Sequence, residues 1–222
     1  MYPCKERYSK NKISTAVEGI YCQLYQYFGP QDWWPADNAF ETAIGAILTQ
    51  AVSWKNVQKA ITNLKKAGVM SPVDINNLDN KILAGLIKPS GYYNMKTKKI
   101  KCFCKFLLET FNGKIELLQD LSLKEIRPRL LNVYGIGPET ADSILLYAVE
   151  KPVFVVDAYT RRIFHRAGLI DSDIPYDELQ QLFMCNFKPS AKKYNEYHAL
   201  LVALGKNICK KRGAICSKCP LG

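Results

Sequence analysis

"GIGPETADSILLYAVEKPVFVVDAYTRR", residues 135–162, decides how this chain is read. Gly135 and Gly137 relieve a tight turn, Pro138 suits the first position of the helix that follows, and Ile144, Leu145 and Ala148 can pack inward along it. With "LLNVY" closing a helix before the turn, the unit is helix, hairpin turn, helix. Free backbone N–H groups at the start of the second helix can hold a phosphate without side-chain specificity. An αα-corner with no ligand would use the same residues. Asp157 follows the four apolar residues "VFVV" and precedes the basic run "AYTRRIFHR". Aspartate is a favoured N-cap, and a carboxylate beside an apolar wall can also face a developing positive charge, so the two roles are compatible.

The surrounding chain narrows the uses of such a turn. Its 222 residues allow one large domain or two small ones, and 48% hydrophobic content is enough for a core. Lys and Arg outnumber Asp and Glu by 31 to 20, a formal net charge of +11, and a surface of that sign attracts polyanions, nucleic acid first. A solubilising charge excess would look the same in composition. No apolar run approaches the roughly 20 residues that cross a bilayer. The N-terminal "MYPCKERYSKNK" also lacks a signal-peptide segment, so an intracellular, cytoplasmic location without a membrane partner is expected. In that compartment the eight cysteines stay reduced, which favours metal or cluster ligation over disulfides.

Apolar residues recur at helical spacing and no alternating pattern lasts, so the expected fold class is all-α. Asn38 caps a helix whose face is Phe40, Ile44, Ile47 and Leu48; Val57, Ile61 and Leu64 mark the next; Ser71 and Pro72 open a third. "KPSGYYN", residues 88–94, breaks the pattern. Helices are expected over residues 96–110, 114–120 and 123–133, and later over 158–167, 175–186 and 190–208.

Together these residues resemble the helix-hairpin-helix DNA glycosylases of the endonuclease III superfamily. "VYGIGPETAD" with "VVD" is similar to that family's hairpin and catalytic segment, "AIGAILTQAVSW" to the segment carrying its DNA-inserting glutamine, "SGYYNMKTKKI" to its wedge loop, and "HALLVALGKNICKKRGAICSKCPL" to its iron-sulphur C-terminus. The resemblance implies a two-lobed fold: a six-helix barrel lobe over residues 31–137, a second lobe from 1–30 plus 138–222, and a cleft between them. It also implies that Asp157 is catalytic, that Gly135, Ile136 and Gly137 hold a DNA phosphate, that Gln50 fills the gap left by a flipped nucleotide, and that Tyr92 wedges the opposite strand. The implied partner is double-stranded DNA containing a damaged base, met by a monomer.

One position departs from the bifunctional members, in which a lysine follows the hairpin's last glycine by two and attacks the sugar. Glu139 stands there, and a carboxylate cannot form a Schiff base, so the lysine-dependent strand-cutting route is absent. An acidic residue in the first turn also complements the helix dipole, which is a sufficient reason for it by itself. What remains is hydrolysis of the base–sugar bond through an oxocarbenium-like sugar, which an ionised Asp157 would stabilise or supply with water.

The three tryptophans, Trp33, Trp34 and Trp54, bear on the substrate, because an aromatic face attracts a cationic base. "WWP", "LTQ", "PSGYYNMK" and the acid in "GIGPETAD" resemble the 3-methyladenine glycosylase branch, in which Trp33, Trp34, Trp54 and Glu139 would line the base pocket. Packing anchors would use the same tryptophans. Cys209, Cys216 and Cys219, spaced C-x6-C-x2-C, point to a thiolate-held metal, and the resemblance implies a 4Fe-4S cluster. The family's fourth cysteine would fall three residues beyond Gly222, so either the sequence given stops short of it, or another of Cys4, Cys22, Cys102, Cys104 and Cys185 substitutes, or the cluster is incomplete; Cys102 and Cys104, two apart on a helix, point apart and make a poor chelate. Two alternatives stay in view: a related glycosylase for an oxidised pyrimidine, uracil or mispaired adenine, and a non-enzymatic binder of distorted DNA.

Overall fold

The computed structural model describes residues 10–222, and among these the regular structure is helical throughout, without strands. In chain order the helices are α1 (Lys10–Phe28), α2 (Ala39–Leu48), α3 (Trp54–Lys66), α4 (Pro72–Asn77), α5 (Asn80–Leu86), α6 (Tyr93–Phe111), α7 (Leu123–Leu131), α8 (Pro138–Ser143), α9 (Ala158–Arg166), α10 (Tyr176–Asn186) and α11 (Ala191–Asn207). The starts follow the capping chemistry. Asn38 accepts from the backbone N–H of Glu41, Ser71 from that of Asp74 with Pro72 next in line, and Asp157 from that of Thr160.

Four local features differ from the sequence expectation. Residues 115–120 form a 3-10 helix, and α8 gives way after Ser143 to a π turn, Ile144–Ala148. The helices α1 and α5 lie outside the sequence expectation: among the described side chains of α1 the buried apolar ones are Val17, Ile20 and Leu24, with Tyr25 and Tyr27 exposed, and α5 is seven residues long.

The chain divides into two compact units, one formed by the residues up to Trp33 with Pro152–Gly222, the other by Trp34–Lys151. The expected boundary at 137/138 therefore moves to 151/152, and the one at 30/31 moves to 33/34. The physical reason for the first is that α8 and the π turn pack on α2, where Ile44, Ile47 and Leu48 have no exposed surface. Almost every residue of α2 is buried, the pattern of a helix surrounded on all sides. In the other unit, Phe154 stacks on Phe183 with centroids 3.8 Å apart, Tyr194 and Tyr197 close the cluster, and the Tyr197 hydroxyl donates to the Val17 carbonyl at 2.8 Å, tying α1 to α11.

Candidate functional site

The hairpin joins α7 to α8. Gly135 sits at φ +81°, and a Cβ there would fall 2.3 Å from the Lys99 Cγ, so both conformation and space ask for glycine. Ile136 is buried and anchors the turn, while Gly137 is exposed and extended as the N-cap of α8, with Pro138 after it. Beneath the turn, Arg127 of α7 grips Asp142 of α8 in a two-pronged pair, Nε–Oδ1 2.8 Å and Nη2–Oδ2 3.1 Å, and the Asp142 side chain is fully buried. Such a pair holds the two helices in one relative orientation.

Gln50 is bound to this turn. Its Nε2 donates to the Gly135 carbonyl at 3.1 Å and the Thr140 hydroxyl at 2.9 Å, and its Oε1 accepts from Lys99 Nζ. The next residue, Ala51, has φ +57°, and Tyr92, 73% exposed, has φ +45°. Left-handed backbone at residues other than glycine costs on the order of 1–3 kcal/mol and persists where the surroundings enforce it. Both segments expected to probe DNA carry such a residue.

The tryptophans separate. Trp34 packs edge-on to Trp54 at 4.7 Å and lies 5.0 Å from the Tyr147 ring, all above Gly45, where a Cβ would come within 3.3 Å of Trp34. A cavity of about 470 Å³ borders Trp34, Pro35, Trp54, Gln58, Glu41 and Lys65. The Glu41 carboxylate, largely buried, is 2.6 Å from Lys65 Nζ, which also reaches Asp37 at 2.8 Å. Trp33 belongs to the other unit, where Lys206 Nζ lies 5.3 Å over its ring. Glu139 is exposed on the first turn of α8, and neither it nor Trp33 lines that cavity.

Asp157 ends a buried extended segment, Val153, Phe154, Val155 and Val156. That segment is pinned to α10, where Tyr176 Oη accepts from the Val156 N–H at 3.3 Å and Gln180 Nε2 donates to the Phe154 carbonyl at 2.6 Å. One carboxylate oxygen accepts from the Thr160 N–H at 2.8 Å and hydroxyl at 2.9 Å; the other lies 3.5 Å from His198 Nε2 on α11. Burial works against ionisation, but the imidazole and the Thr160 bonds outweigh it and hold the carboxyl below its ordinary value. The arrangement presents an ionised carboxylate with 12% of its side chain exposed, which can stabilise a cation or orient water.

The cysteines singled out for a cluster, Cys209, Cys216 and Cys219, lie in and after the loop that follows α11. Among the described residues no three His, Cys, Asp or Glu side chains converge to hold a metal, and Cys216 is exposed. Cys209 Sγ instead accepts from Arg166 at 3.4 Å. Arg162 binds the Cys209 and Gly205 carbonyls and Arg166 those of Lys210 and Lys211, so the loop is closed by two guanidinium groups. Burial in α6 pushes the Cys104 thiol up to about 12. Cys4 lies outside the described residues. Among the described residues no ready set of cluster ligands is assembled.

Sequence reasoning did not single out Lys99, Thr140, Tyr147 or His198. No local signal marks them, since His198 meets Asp157 across 41 positions and Thr140 meets Gln50 across 90.

A Methanocaldococcus jannaschii protein that carries the assignment DNA repair glycosylase is 45% identical over 213 residues, 96% of each chain. Endonuclease III of Sulfolobus acidocaldarius is 29% identical over 183 residues, 82% of this chain and 79% of that protein. The structure of H. pylori 3-methyladenine DNA glycosylase bound to 1,N6-ethenoadenine superposes with a TM-score of 0.73 at 30% identity, covering 90% of this chain and 98% of the other. A non-covalent endonuclease III–DNA complex shares the fold, with a TM-score of 0.80 at 22% identity over 96% and 94% of the two chains. The sequence profile of the HhH-GPD superfamily base excision DNA repair proteins matches residues 44–189, and the chain belongs to that superfamily.

Proposed function

We propose that this DNA glycosylase is monofunctional and removes alkylated, positively charged purines of the 3-methyladenine type from duplex DNA, acting as a monomer. The observation that carries the reading is Glu139, a carboxylate on the first turn of α8 where a strand-cutting enzyme of this family would hold its amine. The Trp34–Trp54–Tyr147 cluster supports the substrate class, because aromatic faces favour an electron-poor base, as does the likeness to the H. pylori enzyme. The +11 charge and the exposed Gly137 turn suit the phosphate backbone.

In this reading the hairpin residues Gly135, Ile136 and Gly137 take a phosphate, Tyr92 enters the opposite strand, and Gln50 occupies the space of the extruded nucleotide. The bond between sugar C1′ and base nitrogen breaks, and its electron pair leaves with the cationic base, which departs neutral and needs no acid. Ionised Asp157 stabilises the oxocarbenium-like sugar; water adds to C1′ and its proton passes to the carboxylate. The product is an intact strand with an abasic site.

The test is release of free base from methylated duplex DNA by the wild type and by Asp157→Asn, with strand breaks scored before and after alkali. Free 3-methyladenine from the wild type alone, with breaks only after alkali, supports the proposal. Breaks without alkali overturn the monofunctional reading. A second reading, a neutral-base lesion, draws on the endonuclease III relatives; release of an oxidised pyrimidine or uracil in place of 3-methyladenine would select it.

A further inference from the structure

α6 carries a lysine that the proposed chemistry does not use. Lys96 is 2% exposed, and its ammonium donates to two backbone carbonyls, Leu48 at 2.8 Å and Ser90 at 2.6 Å. Leu48 ends α2, two residues before Gln50 and three before the left-handed Ala51. Ser90 is fully buried and stands two residues before the left-handed, exposed Tyr92. One buried charge is thus bonded to the root of each segment proposed to enter DNA, just upstream of its strained residue.

A long, flexible cation is a costly way to fill a core, since an apolar side chain of the same length would pack there without a desolvation penalty. What an apolar chain cannot do is bind two carbonyls at once. Carbonyls at a helix end lack intrahelical partners, and a charged donor satisfies them more strongly than a neutral one.

We propose that Lys96 is a positioning residue that locks the Gln50 and Tyr92 loops in one shared frame, so that gap-filling and opposite-strand wedging occur together. The inference rests on the proposed roles of Gln50 and Tyr92. The charged groups around Lys96 leave its ammonium to the carbonyls. Glu41 of α2 is paired with Lys65, while Asp74 of α4, Lys81 of α5, Lys88 of the 88–90 turn, and Glu116 and Asp120 of the 115–120 turn are exposed. The charge that acts on it is Lys99, one turn along the same helix, which together with the larger effect of burial brings the lysine down to about 8. A neutral amine keeps its donors but loses the charge-assisted strength of both bonds.

This lowered value separates a positioning role from a merely structural one. Between its folded and unfolded values the unfolded chain holds the proton and the folded chain does not, so this group makes folding more favourable as pH rises. Loop locking should fail in the same range. The fold gains where the function loses.

The probe is a duplex with a tetrahydrofuran abasic-site analogue and 2-aminopurine opposite it, whose fluorescence reports unstacking and needs no knowledge of the lesion. Wild-type unstacking amplitude should fall as pH passes about 8, while the thermal midpoint shows no matching loss. Lys96→Met should reduce the amplitude by about tenfold, the scale expected for losing a charged hydrogen bond, and abolish the pH step. Its affinity for undamaged duplex should stay near that of the wild type, and Lys96→Arg should restore part of the signal. A pH-independent wild-type amplitude overturns the proposal even if the methionine variant does not fold, as does a methionine variant that unstacks normally. If the wild type neither binds nor unstacks this duplex, the glycosylase roles of Gln50 and Tyr92 fail instead.

Discussion

The carboxylate of Asp157 and the imidazole of His198 lie 3.5 Å apart, on residues that start α9 and line α11. The contact works against burial and keeps the acid ionised. Because the folded carboxyl sits below the unfolded value of about 3.9, its stabilising contribution is fully present above that value. It is lost as pH falls through the folded one. Base release should therefore be flat toward weak acid. His198→Ala should move the acid limb to higher pH, and Asp157→Asn, which still caps α9, should cut release by at least about 100-fold with little change in unfolding. Single-turnover rates across pH, beside thermal unfolding of each variant, decide this; an unshifted acid limb in His198→Ala would remove the imidazole from the account.

The Arg127–Asp142 pair under the hairpin gives a stability prediction. The Asp142 side chain is fully buried, so Asp142→Ala strands a guanidinium and should cost about 3–5 kcal/mol in urea unfolding. The double variant Arg127→Met, Asp142→Leu should recover most of that loss, because no unpaired charge is left.

Gly205 tests the packing of α11 on α9. A Cβ there would lie 2.3 Å from Tyr159 Cδ1 and 3.0 Å from Tyr159 Cβ, so the ring cannot simply rotate aside. Gly205→Ala should lower stability by about 1–3 kcal/mol, the usual range for overpacking. It should also loosen Arg162, whose guanidinium lies 5.0 Å from that ring and binds the Gly205 carbonyl. A denaturation midpoint equal to wild type would refute this.

Glu139 is exposed at the start of a short helix. Glu139→Gln should cost no more than about 0.3–1 kcal/mol through the helix dipole and leave base release within a few-fold of wild type. A much larger fall in release, with unchanged DNA affinity, would give the carboxylate a part in activating the leaving group.

Much of this arrangement is written locally in the chain. Asn38, Ser71 and Asp157 start helices where their side chains can take an orphan N–H, and each is found doing so. The turn at Gly135 was legible because a positive φ and close approach leave few residue choices. The unit boundary was not, because no composition change accompanies the packing of α8 on α2. The neighbours of the candidate site were hidden for a similar reason: Lys99, Thr140 and His198 reach their partners through tertiary packing, which leaves no local period. The cysteine spacing was legible as a pattern; what it did not show is that arginines of α9 bind the carbonyls of the loop the cysteines share.

Ala51 and Tyr92 hold backbone conformations for which glycine is better suited. A laboratory selection for heat resistance alone would therefore be drawn toward glycine at both positions, and each step would exchange a side chain at the probing loops for a more relaxed chain. Improvement of this protein as a material and its preservation as a repair enzyme pull these two codons in opposite directions.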